Sequence, residues 1–127
     1  MTASPAPGLP TPNLSAVAYK VLTDEQMHQL ETEGAFPGAP ADLADGFIHL
    51  SAADQLEETL ARHFAGQELL HIASVDLEAL GGAVKWEPSR GGALFPHVYG
   101  SLPLSAVIAY GPLERDEEGG LRLPVAG

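Results

Sequence analysis

The alternation of helices with strands stops at Gly66, and this limits the possible folds more than any other feature of the chain. Up to that point the order is strand, helix, strand, helix. "AVAYKVL" (16–22) has the β-branched and aromatic content of a strand. Thr23, with Gln26 three residues on, makes a capping-box pattern that opens a helix ending at Gly34. "AFPGAPADLA" (35–44) reads as a loop and "GFIHL" (46–50) as the next strand. Ser51 then offers a helix cap, with Asp54 at the third position. Leu56, Leu60 and Phe64 recur every four residues as the buried stripe of that helix. Beyond Gly66 only strand patterns follow: "ELLHIASVD", "AVKWE", "VYG" and "SAVIAYG", separated by the turn "LEALGG" and the loop "SRGGALFPH". A doubly wound sheet needs a helix between successive parallel strands, so this order predicts an α+β fold instead.

The flanks differ from the centre. The first fourteen residues carry four prolines and no charge, so 1–15 is expected to be a flexible tail. A single domain is expected over 16–114, and 115–127 reads as either a hairpin or a tail. Seventeen acidic residues face six basic ones, a formal net charge of −11, and no Lys/Arg cluster is available for a phosphate backbone. Nucleic acid is therefore not an expected partner. No apolar run is long enough to span a bilayer, no charged-then-apolar leader opens the chain, and cysteine is absent. A cytoplasmic location is the expectation.

Three short stretches carry candidate chemistry. In "DGFIHLS" (45–51), strand alternation puts Phe47, His49 and Ser51 on one face, just ahead of a helix whose first N–H groups attract anions. In "VKWEPSRGG" (84–92), alternation puts Lys85 and Glu87 on one side and Trp86 on the other. Glu87 suits a general base or a ribose-hydroxyl contact, but equally a surface pair with Lys85 or Arg90. Arg90 precedes Gly91 and Gly92, a loop position suited to clamping a ligand. In "FPHVYG" (95–100), His97 and Tyr99 again stand two apart on one face. A packed, hydrogen-bonded role remains open for each histidine and for Tyr99. The expectation to test is that His49 and His97 face one cavity. None of the five histidines shows the spacing of a zinc helix motif, so no metal is expected.

Taken together, "YKVL", "DGFIHLS" and "KWEPSRGGALFPHVYG" resemble the small bacterial proteins of the domain of unknown function 952 family, from about Val17 to Leu113. That resemblance implies an ADP-ribosyltransferase-like fold, two split antiparallel β-sheets with about two short helices and a central cleft for NAD. A fainter likeness to NAD-dependent RNA 2′-phosphotransferases matches His49 and Ser51 of "FIHLS" to their His-Leu-Ser strand ending and Tyr19 of "AYKVL" to their first strand, Tyr-His-Gly-Thr. Lys20 stands where those enzymes carry a histidine, and their RNA-reading half has no counterpart, so RNA 2′-phosphotransfer is rejected. What the resemblance implies is a cleft for NAD or a related adenine nucleotide, with ADP-ribosyl transfer or NAD glycohydrolysis. His49, Glu87 and His97 would be catalytic, and Lys20, Ser51, Trp86, Arg90 and Tyr99 would bind the cofactor. Among these, Lys20 or Arg90 would supply charge to the diphosphate, and Glu87 would stabilise the oxocarbenium-like sugar. The alternative is a non-catalytic module of the same fold that binds a small ligand or a protein.

Overall fold

The computed structural model of the protein describes residues 16–89 and 92–124. The proline-rich tail over 1–15 and the loop residue Arg90 lie outside them. In chain order the elements are β1 (Val17–Thr23), α1 (Asp24–Glu33), β2 (Ala35–Phe36), α2 (Pro40–Asp45), β3 (Ile48–His49), α3 (Leu56–His63), β4 (Leu70–Asp76) and α4 (Leu77–Leu80). There follow β5 (Val84–Pro88), β6 (Leu94–Val98), β7 (Leu102–Pro103), β8 (Val107–Pro112), β9 (Glu114–Arg115) and β10 (Leu121–Arg122). The fold is α+β, with several antiparallel sheets and a few short helices.

Two three-stranded antiparallel sheets dominate, in the orders β1-β4-β8 and β3-β6-β5. Among the described residues a single backbone bridge joins them. Tyr19 and Ser51 exchange backbone hydrogen bonds of 2.8 Å in each direction, and β1 and β3 form no ladder beyond that bridge. The cause lies in Pro96. Ile48 pairs with Val98 and His49 with His97, so Leu50 comes opposite Pro96. The Leu50 N–H donates to the Pro96 carbonyl at 3.0 Å, but a proline has no N–H to return. The ladder ends there, and the next residue, Ser51, turns to β1.

Local signals explain the helices. Gln26 N–H donates to Thr23 Oγ1 and Thr23 N–H to Gln26 Oε1, the reciprocal pair the sequence predicts, and Gly34 closes α1 in the left-handed region. The stretch expected to be loop contains both β2 and α2. Pro40 starts α2, the Asp42 carboxylate accepts the Ala39 N–H at 2.8 Å, and Gly46 ends the helix at φ 89°. Only six residues long, α2 is too short to show an apolar period. The expected cap at Ser51 is also corrected. A 3₁₀ turn (Ala53–Gln55) precedes α3, and Gln55 Oε1 accepts the Ala52 N–H. Strand β6 starts at Leu94, inside the segment expected to be loop. The chain end offered as hairpin or tail pairs as β9 with β10, and Arg115 ties it to Glu57 on α3.

The main core lies between the two sheets and α1, and includes Ala18, Leu22, Leu30, Phe36, Leu50, Val75 and Val98. A second cluster under α3 joins Val21, Leu56, Leu60 and Leu70. We expect Leu22→Ala, at a position with no solvent exposure, to cost roughly 2–5 kcal/mol in urea unfolding. Thr23→Ala, which breaks the α1 cap, should cost about 1 kcal/mol.

Candidate functional site

A cavity of about 500 Å³ opens at the split between the sheets. Tyr19, Lys20 and Val21 of β1 form one wall, α2 and His49 another, with Ser51, Phe95 and His97 between them and the His63 end of α3 opposite. Tyr19 turns its N–H and C=O toward Ser51. By strand alternation Val21, two residues on, turns its own N–H and C=O to the same side, where β3 no longer runs alongside.

The two histidines expected to share a hollow stand opposite each other on β3 and β6. Their ring centroids are 5.4 Å apart, edge to face, and both line the cavity. Phe47 joins them, stacked on His97 with centroids 4.1 Å apart and tilted against His49 at 4.9 Å. Each imidazole has its own carboxylate. His97 Nδ1 lies 2.7 Å from Glu87 Oε1, and the Tyr99 hydroxyl donates to both Glu87 oxygens at 2.9 and 3.1 Å. The His97 hydrogen bond, followed by that of Tyr99, holds the Glu87 carboxyl below its ordinary value. An ionised Glu87 can only accept, so the Nδ1 atom of His97 carries the proton. In the neutral tautomer with that proton the lone pair is on Nε2. That nitrogen is buried with no hydrogen-bond partner. Buried polar atoms without partners are rare in folded proteins, and this one belongs to a residue in the cavity wall.

His49 sits in a different setting. Its Nδ1 is 2.6 Å from Asp42 Oδ1 and its Nε2 is 3.0 Å from Asp45 Oδ2. Asp42 is 3% exposed and also accepts the His49 and Ala39 backbone N–H groups and the Lys20 ammonium. Burial alone would raise its pKa, but the His49 hydrogen bond, the Lys20 charge and the two amides outweigh it. The carboxyl stays ionised well below the usual carboxylate range. Burial pushes the Lys20 ammonium down from its ordinary value, and Asp42 opposes that shift.

These contacts redefine several expected roles. Lys20 lines the cavity, but its ammonium is held by both Asp42 oxygens and the His49 carbonyl. Ser51 lines it too, with its hydroxyl 2.8 Å from Thr59 Oγ1. Glu87 and Tyr99 are not cavity-lining residues and hold His97 from behind. Trp86, on the other side of β5, packs against the main core away from the cavity. Among the described residues no group of three His, Asp or Glu side chains could hold a metal ion, and no helix is long and apolar enough to cross a membrane. Asp42 and Asp45 escaped the sequence reading; the helix-capping position of Asp42, three residues after Ala39 and just past Pro40, is the one local signal that marks it.

The sequence matches the family described as "Protein of unknown function (DUF952)" over residues 21–110, and the chain belongs to that family. It is similar to protein CC0527 from Caulobacter crescentus, whose crystal structure is 44% identical, with a TM-score of 0.75 and coverage of 84% of this chain and 93% of that one. The solution NMR structure of the same protein gives 44% identity and a TM-score of 0.71, covering 84% of this chain and 91% of that one. No curated protein matches.

Asp42→Ala should destabilise the fold by roughly 3–5 kcal/mol in urea unfolding, because it strands the buried Lys20 charge. The pH dependence follows from the depressed carboxyl. The stability Asp42 contributes is complete above the unfolded carboxylate value of about 3.9 and is lost as pH falls toward its lower folded value. Asp42→Asn should therefore flatten the decline in stability below about pH 4.

Proposed function

We propose that this member of the DUF952 family binds a nucleotide-like ligand, NAD or a related adenine nucleotide, in the cavity between its sheets, with His97 as the acid–base group. The observation that carries this reading is the buried, unpartnered Nε2 of His97, with Nδ1 held by Glu87. A carboxylate that orients an imidazole and steadies its charged form is the arrangement general-base catalysis needs. The split between β1 and β3 supports an ADP-ribosyltransferase-like cleft, and the outward N–H and C=O of Val21 suit a carboxamide or a base edge.

In NAD cleavage the nicotinamide–ribose C–N bond breaks and its electron pair leaves on the nicotinamide nitrogen. Water, or the hydroxyl of an acceptor, bonds to the ribose carbon and passes its proton to His97 Nε2. Glu87 stands behind His97, so it acts through the imidazole and not directly on the sugar. It is a positioning residue in this scheme. The second reading, a binding module without turnover, draws on Lys20 and His49, whose polar groups are held by internal carboxylates.

NAD or ADP-ribose at millimolar concentration should shift the imidazole NMR signals of His49 and His97; unmoved signals would overturn the reading. Nicotinamide release should fall by about 100-fold or more in Glu87→Gln, with nucleotide binding retained. Binding with equal, background release in both proteins would favour the module.

A further inference from the structure

Building on the nucleotide reading, we infer that the cavity selects the uncharged nucleoside portion of its ligand and disfavours a phosphate placed inside it. The inventory of lining groups leads there. Tight binding of a phosphate needs a cation beside its N–H and O–H donors. Lys20 cannot serve, since its side chain is 8% exposed and its ammonium is bonded to Asp42 and the His49 carbonyl. Drawing it to a phosphate would leave the Asp42 carboxylate buried without its counter-charge. His49 has no N–H to spare, with Asp42 on one ring nitrogen and Asp45 on the other. The Ser51 hydroxyl is engaged with Thr59, and the helical turn beyond it is closed by Gln55 on the Ala52 N–H.

Apart from His63, what the cavity offers instead is acidic or neutral. Asp42 lines the cavity with its charge offset by Lys20, so the uncompensated negative charge is that of Asp45, which also lines the cavity and is half exposed. Like charges repel strongly in such a partly dry site. The Nε2 lone pair also discriminates. An ionised phosphate has no proton to donate to it, whereas water or an acceptor hydroxyl beside the ribose carbon has. Val21 adds a backbone donor and acceptor, and Gln26 and Gln67 line the same cavity with neutral amides. In NAD, then, one nucleoside half enters while the diphosphate stays outside.

The test is calorimetry on the full chain at low salt, with two pairs of probes: adenosine against adenosine 5′-monophosphate, and nicotinamide riboside against nicotinamide mononucleotide. In the pair that binds, the nucleoside should be about threefold or more tighter than its phosphate. The gap should narrow in high salt and in Asp45→Asn, which removes a rim charge. A monophosphate binding more tightly than its nucleoside at low salt overturns the inference. Binding of NAD or ADP-ribose with no binding of either nucleoside overturns it as well, but leaves the nucleotide reading standing. If none of these compounds binds, both fall together.

Discussion

The missing N–H of Pro96 is the constraint from which the site follows. A central strand ordinarily pairs along its whole length on both sides, and β6 does so with β5. On its β3 side the ladder loses a donor after two residue pairs. The chain leaves β6 at Leu50 and reaches β1 at Ser51, making a single bridge to Tyr19. One bridge joins the sheets without closing them. The space left alongside β1 is the cavity, and the histidines of the last β3–β6 pair stand at its edge.

Ionic contacts hold the opposite wall. Asp42 is buried, and an unpaired carboxylate there would be costly, yet it gathers Lys20, the His49 ring and two backbone amides. These partners come from β1, β3 and the start of α2, so one side chain sets the spacing of three elements. The result is asymmetric. His49 is saturated by carboxylates and serves the wall, whereas His97 has one nitrogen held and one left over. Two histidines that look equivalent along their strands therefore have different capacities.

Much of the fold was legible because its cues are local. The Thr23–Gln26 box, the glycine at 34 and the alternation in "FIHLS" and "FPHVY" each concern residues within a few positions of one another. Alternation also separated Glu87 from Trp86 correctly, although it did not reveal that the tryptophan side belongs to the core. Missed features share a different trait. Helix α2 has no apolar period to read, and the value of Asp42 depends on Lys20, 22 residues earlier. At Ser51 a local cue misled, because Gln55 competes for the same turn and leaves the hydroxyl to Thr59.

By itself the sequence determined the class of fold, the strand faces and the residue types near the site, because periodicity, capping and turn preferences act over one or two turns of chain. Tertiary structure alone decided which charges cancel and which nitrogen stays unpaired. Those outcomes depend on distances between residues far apart along the chain, and on burial that only packing creates. Lys20 reads as a free cation in the sequence and becomes half of a buried ion pair in the fold. His97 reads as one histidine of five and becomes the one with a buried ring nitrogen left without a partner among the described residues.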